Sequence, residues 1–427
     1  FLENFLQMII ERRQSLRLNL EKFMSFLVSC EPGFGAAKSK DWKNWNPAAG
    51  QILLMAFTTL CQVVTHYLQQ LPEKKQQSAD VLSALLEPVV LQMATTVEHG
   101  LQSNAPNQPL PVAFIPSVTT LLKADLSHTV KKGWQKDPAA FLEQPRIKLY
   151  QKFYSQIMRE LPCAGGNLQF LQPALQFLTT FCSVPELYPG KETAVMVFFA
   201  IKKLLTGPAV TTQVIQSIQM ELTEVLVQLL GNCSAEEFYA IMRLVLQGLE
   251  MRNVWQQKDK EVLSAVTLTK LLLSCPLSGD KEKAFWFASP QIITALAMQT
   301  KEACQEQSLI STIVVPILEA VAALLRHGEG VLLNPHHVAL AFSILLTVPL
   351  DHLKTEDYRG VFLGVHEVLF SIVQCHPKVL LKAAPSFLNS FHRLVVSVMH
   401  EGRQKGDRGI KSFPLLYSVY PLSFCML

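Results

Sequence analysis

The closest approach to a catalytic pattern in these 427 residues is His366-Glu367-Val368-Leu369-Phe370, which opens like the two-histidine helix of a zinc protease. That chemistry needs a second imidazole one helical turn on, so that both rings reach the same ion. Phe370 stands at that position. With one ligand no zinc site forms, and His366 reads as a residue on the flank of a helix. The run from Pro185 to Thr193 ends in Gly190-Lys191-Glu192-Thr193, close to a phosphate loop. Pro185 replaces the first glycine, Glu192 separates Lys from Thr, and no strand is expected ahead of it. Gly190 reads instead as a break before the next helix. His336 and His337 are adjacent, so on a helix they point about 100° apart and cannot share one metal. Cys375-His376 offers two donors, but nothing nearby supplies the rest. No Gly-x-Ser-x-Gly turn occurs, and no Cys or Ser stands in a local setting that suggests activation. Gly360 and Gly364 share a spacing that suits close helix packing. The sequence thus points to no catalytic, cofactor-binding or metal-binding residue, and to a protein that is not an enzyme.

Two stretches carry a different chemistry. One holds Lys38, Lys40, Trp42, Lys43 and Trp45; the other holds Lys131, Lys132, Trp134 and Lys136. Lysines can neutralise phosphates while an indole stacks on a base, which makes these nine residues candidate RNA contacts. The competing reading is a solvated loop whose Trp tucks into the core, and the pattern favours it.

The elements that would position such residues are helices. From Val214 to Leu229 the apolar residues fall at 214, 215, 218, 222, 225, 226 and 229, one stripe at about 100° per residue. Val361, Val365, Val368, Ile372 and Cys375 make another. Alternating strand patterns are absent. Asn46-Pro47, Asp137-Pro138, Ser289-Pro290 and Asn334-Pro335 each place a capping side chain before a proline, which suits a helix start. Ser234 followed by Glu237 is a capping box. Helices are expected at about 2–30, 48–71, 78–100, 111–132, 138–160, 166–184, 191–206, 210–231, 234–250, 254–275, 281–300, 305–326, 334–348, 354–375 and 378–400. Segments 31–47 and 101–111, rich in Gly, Pro and Asn, read as loops within the array. So many helices on short connections exceed one bundle core. Antiparallel pairs stacked side by side solve the burial problem, and a pair length near 40 residues suits HEAT or armadillo arrays. The expected fold is therefore all-α, a superhelical array of antiparallel helix pairs.

Composition agrees. Hydrophobic residues make up 49% and charged residues 17%, against about 25% charged in an ordinary soluble domain. Disorder over most of the length is excluded. The net charge of +4 is too small to argue for nucleic acid alone. Nine cysteines at wide spacings, none in a Cys-x-x-Cys pair, read as reduced thiols of a cytosolic or nuclear protein. Leu309 to Leu325 is apolar enough to suggest a membrane span, but it carries Pro316 and Glu319; a helix buried on nearly all sides is the better reading. Phe1 falls inside an apolar pattern already in progress, as in a piece of a longer chain.

The stretch from Asp357 to Gln404 carries a resemblance. Cys375-His376-Pro377-Lys378-Val379-Leu380-Leu381, then Ala384-Pro385-Ser386-Phe387-Leu388, resembles the start of the C-terminal domain of the nucleolar unhealthy-ribosome-biogenesis family. The resemblance implies residues 1–356 as a helical-repeat body and 357–409 as the beginning of that C-terminal domain, truncated; residues 410–427, with proline breaks and no amphipathic period, depart from the family and read as an atypical tail that packs poorly. It implies a non-catalytic scaffold of the nucleolus, acting in early large ribosomal subunit assembly and precursor ribosomal RNA processing. The implied partners are a larger sister scaffold of the same family, a DEAD-box helicase and precursor ribosomal RNA, with no membrane. Residues alone leave a second reading open: a helical-repeat adaptor for transport or trafficking.

Overall fold

The computed structural model describes residues 114–128, 137–250, 258–306, 309–331, 335–348 and 355–381, with a few single positions besides. All nine candidate RNA contacts, both long loops, the tail at 410–427 and, but for Asn4, Met8 and Arg12, the helices expected before residue 100 lie outside the described residues. Within them the protein is all-α, and no strand occurs. The chain divides into two compact units. One comprises residues 1–204 with 209–232, the other 205–208 with 233–427.

The first unit contains α1 (Phe114–His128), α2 (Pro138–Leu142), α3 (Pro145–Glu160), α4 (Leu168–Cys182), α5 (Thr193–Leu205) and α6 (Thr212–Asn232). Asp137 caps α2, its carboxylate accepting from the amides of Ala139 and Ala140 at 3.1 and 3.2 Å. One helix was expected over 138–160. Pro145 has no amide hydrogen to continue it, so the chain turns at Glu143 and Gln144 and starts α3 afresh. α4 is central and packs against α1, α3 and α6. Its Phe177 and Phe181 form a ring cluster with Phe153 and Tyr154 of α3 and with Tyr188; Tyr154 stacks on Phe181 at 4.6 Å. Gly165, at φ +58°, makes the turn into α4 in a region that disfavours a side chain.

The second unit contains α7 (Ala235–Gly248), α8 (Asp259–Leu273), α9 (Gly279–Ala303), α10 (Val315–His327), α11 (Pro335–Thr347), α12 (Thr355–Cys375) and α13 (Pro377–Leu381). The capping box at α7 forms as read: the Glu237 amide donates to Ser234 Oγ at 3.1 Å, and the Ser234 amide to the Glu237 carboxylate at 2.8 Å. Ser289-Pro290, expected to open a helix, lies inside α9. Pro290 cannot donate to the carbonyl of Trp286, and Ser289 Oγ donates to it instead at 2.7 Å. The helix expected over 305–326 is likewise split. Pro316 sits in the first turn of α10, and the preceding turn, Ile310–Val314, widens to π geometry. Leu309 to Leu325 is buried along most of its length but presents Thr312 and Glu319 to solvent, so it is less enclosed than expected, and no helix among the described residues is long and apolar enough to cross a membrane.

Each helix of this unit packs on its second neighbour. α7 lies against α9 and α9 against α11, while α8 lies against α10 and α10 against α12. Close approach is built in where it is needed. A Cβ on Gly364 would stand 2.8 Å from Leu318 Cβ of α10, and one on Gly360 would stand 3.3 Å from Val315. The Gly360 and Gly364 spacing is thus a packing surface, as its sequence suggested.

Candidate functional site

The residues singled out for chemistry do not converge. His366 is not on a helix flank: it is 2% exposed, stacked on Phe370, and neither ring nitrogen has a hydrogen-bond partner among the described residues. α12 is covered by both α10 and α11, so its buried arc extends beyond the stripe of Val361, Val365, Val368 and Ile372 to include its neighbour His366. Burial lowers the pKa of His366, although the Glu367 carboxylate beside it pulls the other way. His336 is exposed and His337 half-buried, in the first turn of α11; burial and the neighbouring imidazole both lower the pKa of His337. His376 is buried with its Nε2 at 2.8 Å from the Leu325 carbonyl. A carbonyl only accepts, so this nitrogen carries the proton. Among the described residues no group of three or more His, Cys, Asp or Glu side chains is placed to hold a metal ion.

Lys191 and Glu192 are exposed beside a turn in which the Thr193 hydroxyl donates to the Gly190 carbonyl at 2.6 Å. The Gly190 carbonyl accepts from both the hydroxyl and the amide of Thr193, the arrangement of a turn leading into a helix. Three of the thiols are held neutral by their surroundings. Burial pushes Cys182 and Cys275 up to about 12 and Cys304 up to about 11.

Sequence inspection missed one recurring contact. The C-terminal carbonyls of three helices accept a hydrogen bond from a side chain at the end of the second helix along. Asn232, ending α6, donates to the Cys182 carbonyl of α4 at 3.0 Å. Gln299, near the end of α9, donates to the Leu249 carbonyl after α7 at 2.7 Å. His376, just past α12, donates to the Leu325 carbonyl of α10 at 2.8 Å. The sequence separations are 50, 50 and 51 residues. Helix ends leave orphan carbonyls that must find donors, and here stacked neighbours supply them.

Concavity occurs on an outer face. A groove of about 700 Å³ runs along α6 from Gln216 to Gln228, with Thr179 of α4 on its wall. Met220, among its lining residues, is 68% exposed. Elsewhere single large apolar side chains stand in solvent, Phe287 of α9 the most, at 87%.

No family model matches the chain, and no solved structure matches it significantly. The class that the fold defines is an all-α protein, in whose second unit alternate helices pack on one another.

Proposed function

We propose that the chain is a non-catalytic scaffold whose helix pairs form a superhelical array, acting in early large ribosomal subunit assembly and precursor ribosomal RNA processing in the nucleolus. The carrying observation for the array is the repeated cap: three helix ends bonded to their second neighbours at separations of 50, 50 and 51 residues. A stack whose units meet alternate neighbours in one register gives long surfaces that serve several partners at once. The ribosomal part rests on the resemblance of Asp357–Gln404 to the unhealthy-ribosome-biogenesis family, and more narrowly to its second member. On this reading the partners are the larger sister scaffold, a DEAD-box helicase and precursor ribosomal RNA, and localisation is nuclear, in the nucleolus. Few charges suit protein contacts better than a purely electrostatic RNA grip.

Depletion of the full-length protein tests this. Large-subunit precursors should fall while the small-subunit pathway continues. Normal large-subunit RNA processing after depletion would overturn the reading, and cytoplasmic vesicle staining would put the transport-adaptor alternative in its place.

A further inference from the structure

We propose that Cys233 and Lys281 are a redox pair that a peroxide joins through a sulfur–nitrogen bond, a sulfenamide tying the start of α7 to the start of α9. The inference goes beyond the scaffold reading and does not depend on it. Cys233 directly precedes Ser234, the cap of α7, and Lys281 lies in the first turn of α9. The two helices pack on one another, and the Lys281 ammonium donates a hydrogen bond to the Cys233 sulfur. Residues 48 positions apart, with all of α8 between them, thus meet through the two atoms that react. Cys233 is 5% exposed and Lys281 half-buried. A peroxide is small enough to reach such a sulfur, whereas the thiol of another protein is not.

The chemistry closes with one equivalent of hydrogen peroxide. The Cys233 thiol gives its proton to solvent, and the sulfur attacks one peroxide oxygen. An S–O bond forms, the O–O bond breaks, and the departing hydroxide leaves as water with a proton from the Lys281 ammonium. Sulfur is oxidised by two electrons to the sulfenic acid, peroxide is reduced, and a neutral amine is left against the new electrophile. Its lone pair attacks sulfur, the S–O bond breaks, and hydroxide takes a proton from nitrogen and leaves as a second water. Sulfenic acids condense in this way with a thiol or with a nearby nitrogen. The following backbone nitrogen, which a cyclic sulfenamide would use, is engaged: the Ser234 amide donates to the Glu237 carboxylate at 2.8 Å. Burial pushes the Cys233 pKa up, the Lys281 charge pulls it down, and the Glu237 carboxylate pushes it up again. The thiolate is therefore scarce and the reaction slow, but whatever thiolate forms already faces the lysine.

The full chain should be held with millimolar hydrogen peroxide for several hours, its free thiols then alkylated, and the digest read by mass spectrometry without reductant. We expect a linked pair of peptides bearing Cys233 and Lys281, about 2 Da lighter than their sum. Dithiothreitol should abolish it, because thiols cleave the S–N bond and return thiol and amine. Lys281→Arg keeps the cation and the hydrogen-bond donors but offers a poor nucleophile. In that variant, with helical circular dichroism like the parent's, the linked pair should vanish and Cys233 should run on to sulfinic acid. Cys233→Ser should remove the pair as well. A parent Cys233 that stays alkylatable, runs on to sulfinic acid unlinked, or pairs with Cys182 or another thiol overturns the proposal, as does a linked pair that survives Lys281→Arg.

Discussion

His366 is an imidazole sealed between helices with neither nitrogen bonded among the described residues, and its protonation state is therefore coupled to folding. Burial lowers its folded-state pKa below the ordinary 6.5. The unfolded chain then binds a proton more readily than the folded one, so stability is full above about pH 6.5 and is lost as pH falls through that value. His337, shifted in the same direction, adds to the slope. Thermal unfolding followed from about pH 7.5 to about pH 5 should show a falling midpoint. His366→Leu, which keeps the apolar volume, should flatten the fall without abolishing it. An unchanged slope in that variant would show that other groups govern the acid response. Gly364 is the other decisive single position. Its missing Cβ would meet Leu318 Cβ, an atom that cannot swing away, so Gly364→Ala must push α12 from α10. Overpacking of this kind costs about 1–3 kcal/mol. Gly190→Ala, with nothing within 4 Å of the added methyl, should cost far less. Urea unfolding of the two variants side by side decides the matter; equal midpoints would mean that the helices part freely. The cysteines offer a check on burial: native-state alkylation read by mass spectrometry should modify exposed Cys163 and spare Cys182 and Cys275, whose thiols are buried and held protonated.

At the scale of the element, helix ends decide more than helix middles. The Cys182 carbonyl has two donors, Asn232 at 3.0 Å and the Tyr188 hydroxyl at 2.8 Å. Gln299 is the side-chain donor to the Leu249 carbonyl and is fully buried. Asn232→Ala therefore leaves its carbonyl satisfied and should cost about 0.5–1 kcal/mol, whereas Gln299→Ala strands one and opens a cavity, at about 2–3 kcal/mol. Chemical denaturation should rank them in that order, and the reverse order would mean that the caps are incidental. The same ends explain what the sequence reveals. Asp137-Pro138 and the Ser234–Glu237 box act within a few residues, so local pattern was enough to place them. Pro145, Pro290 and Pro316 were ambiguous because a proline can start, interrupt or ride inside a helix, and what separates these outcomes is whether another donor, such as Ser289, reaches the carbonyl left bare. The inter-helix caps were invisible because Asn, Gln and His perform one task at three equivalent positions. A repeat conserved as a hydrogen bond leaves no consensus of residue types.

The same logic holds for the whole molecule. Period and composition were enough for an all-α protein, since every helix face is written in apolar spacing. They did not divide the chain at residue 232, because contacts 50 residues apart set that boundary and a one-dimensional pattern does not record them. The buried members of the widely spaced histidines and cysteines are committed to packing and capping, as His376 and Cys182 are. If the protein is the proposed ribosome-assembly scaffold, what would hold it on a precursor particle can be tested through charge. If the six lysines at 38, 40, 43, 131, 132 and 136 each neutralised a phosphate of single-stranded RNA, affinity would fall with a logarithmic salt slope of about −4, a loss of roughly 300-fold between 50 and 200 mM salt. Retention through protein surfaces depends on apolar burial and short-range hydrogen bonds, which salt screens little. With a net charge of only +4 over 427 residues, the second regime is expected. Precursor particles washed at about 50 and then about 200 mM salt should lose less than about tenfold of the bound protein. A combined Lys→Gln variant at the six positions should sediment with them nearly as well as the parent. A steep loss on washing, cancelled by that variant, would instead make the two lysine–tryptophan segments the principal grip and the helical surfaces secondary.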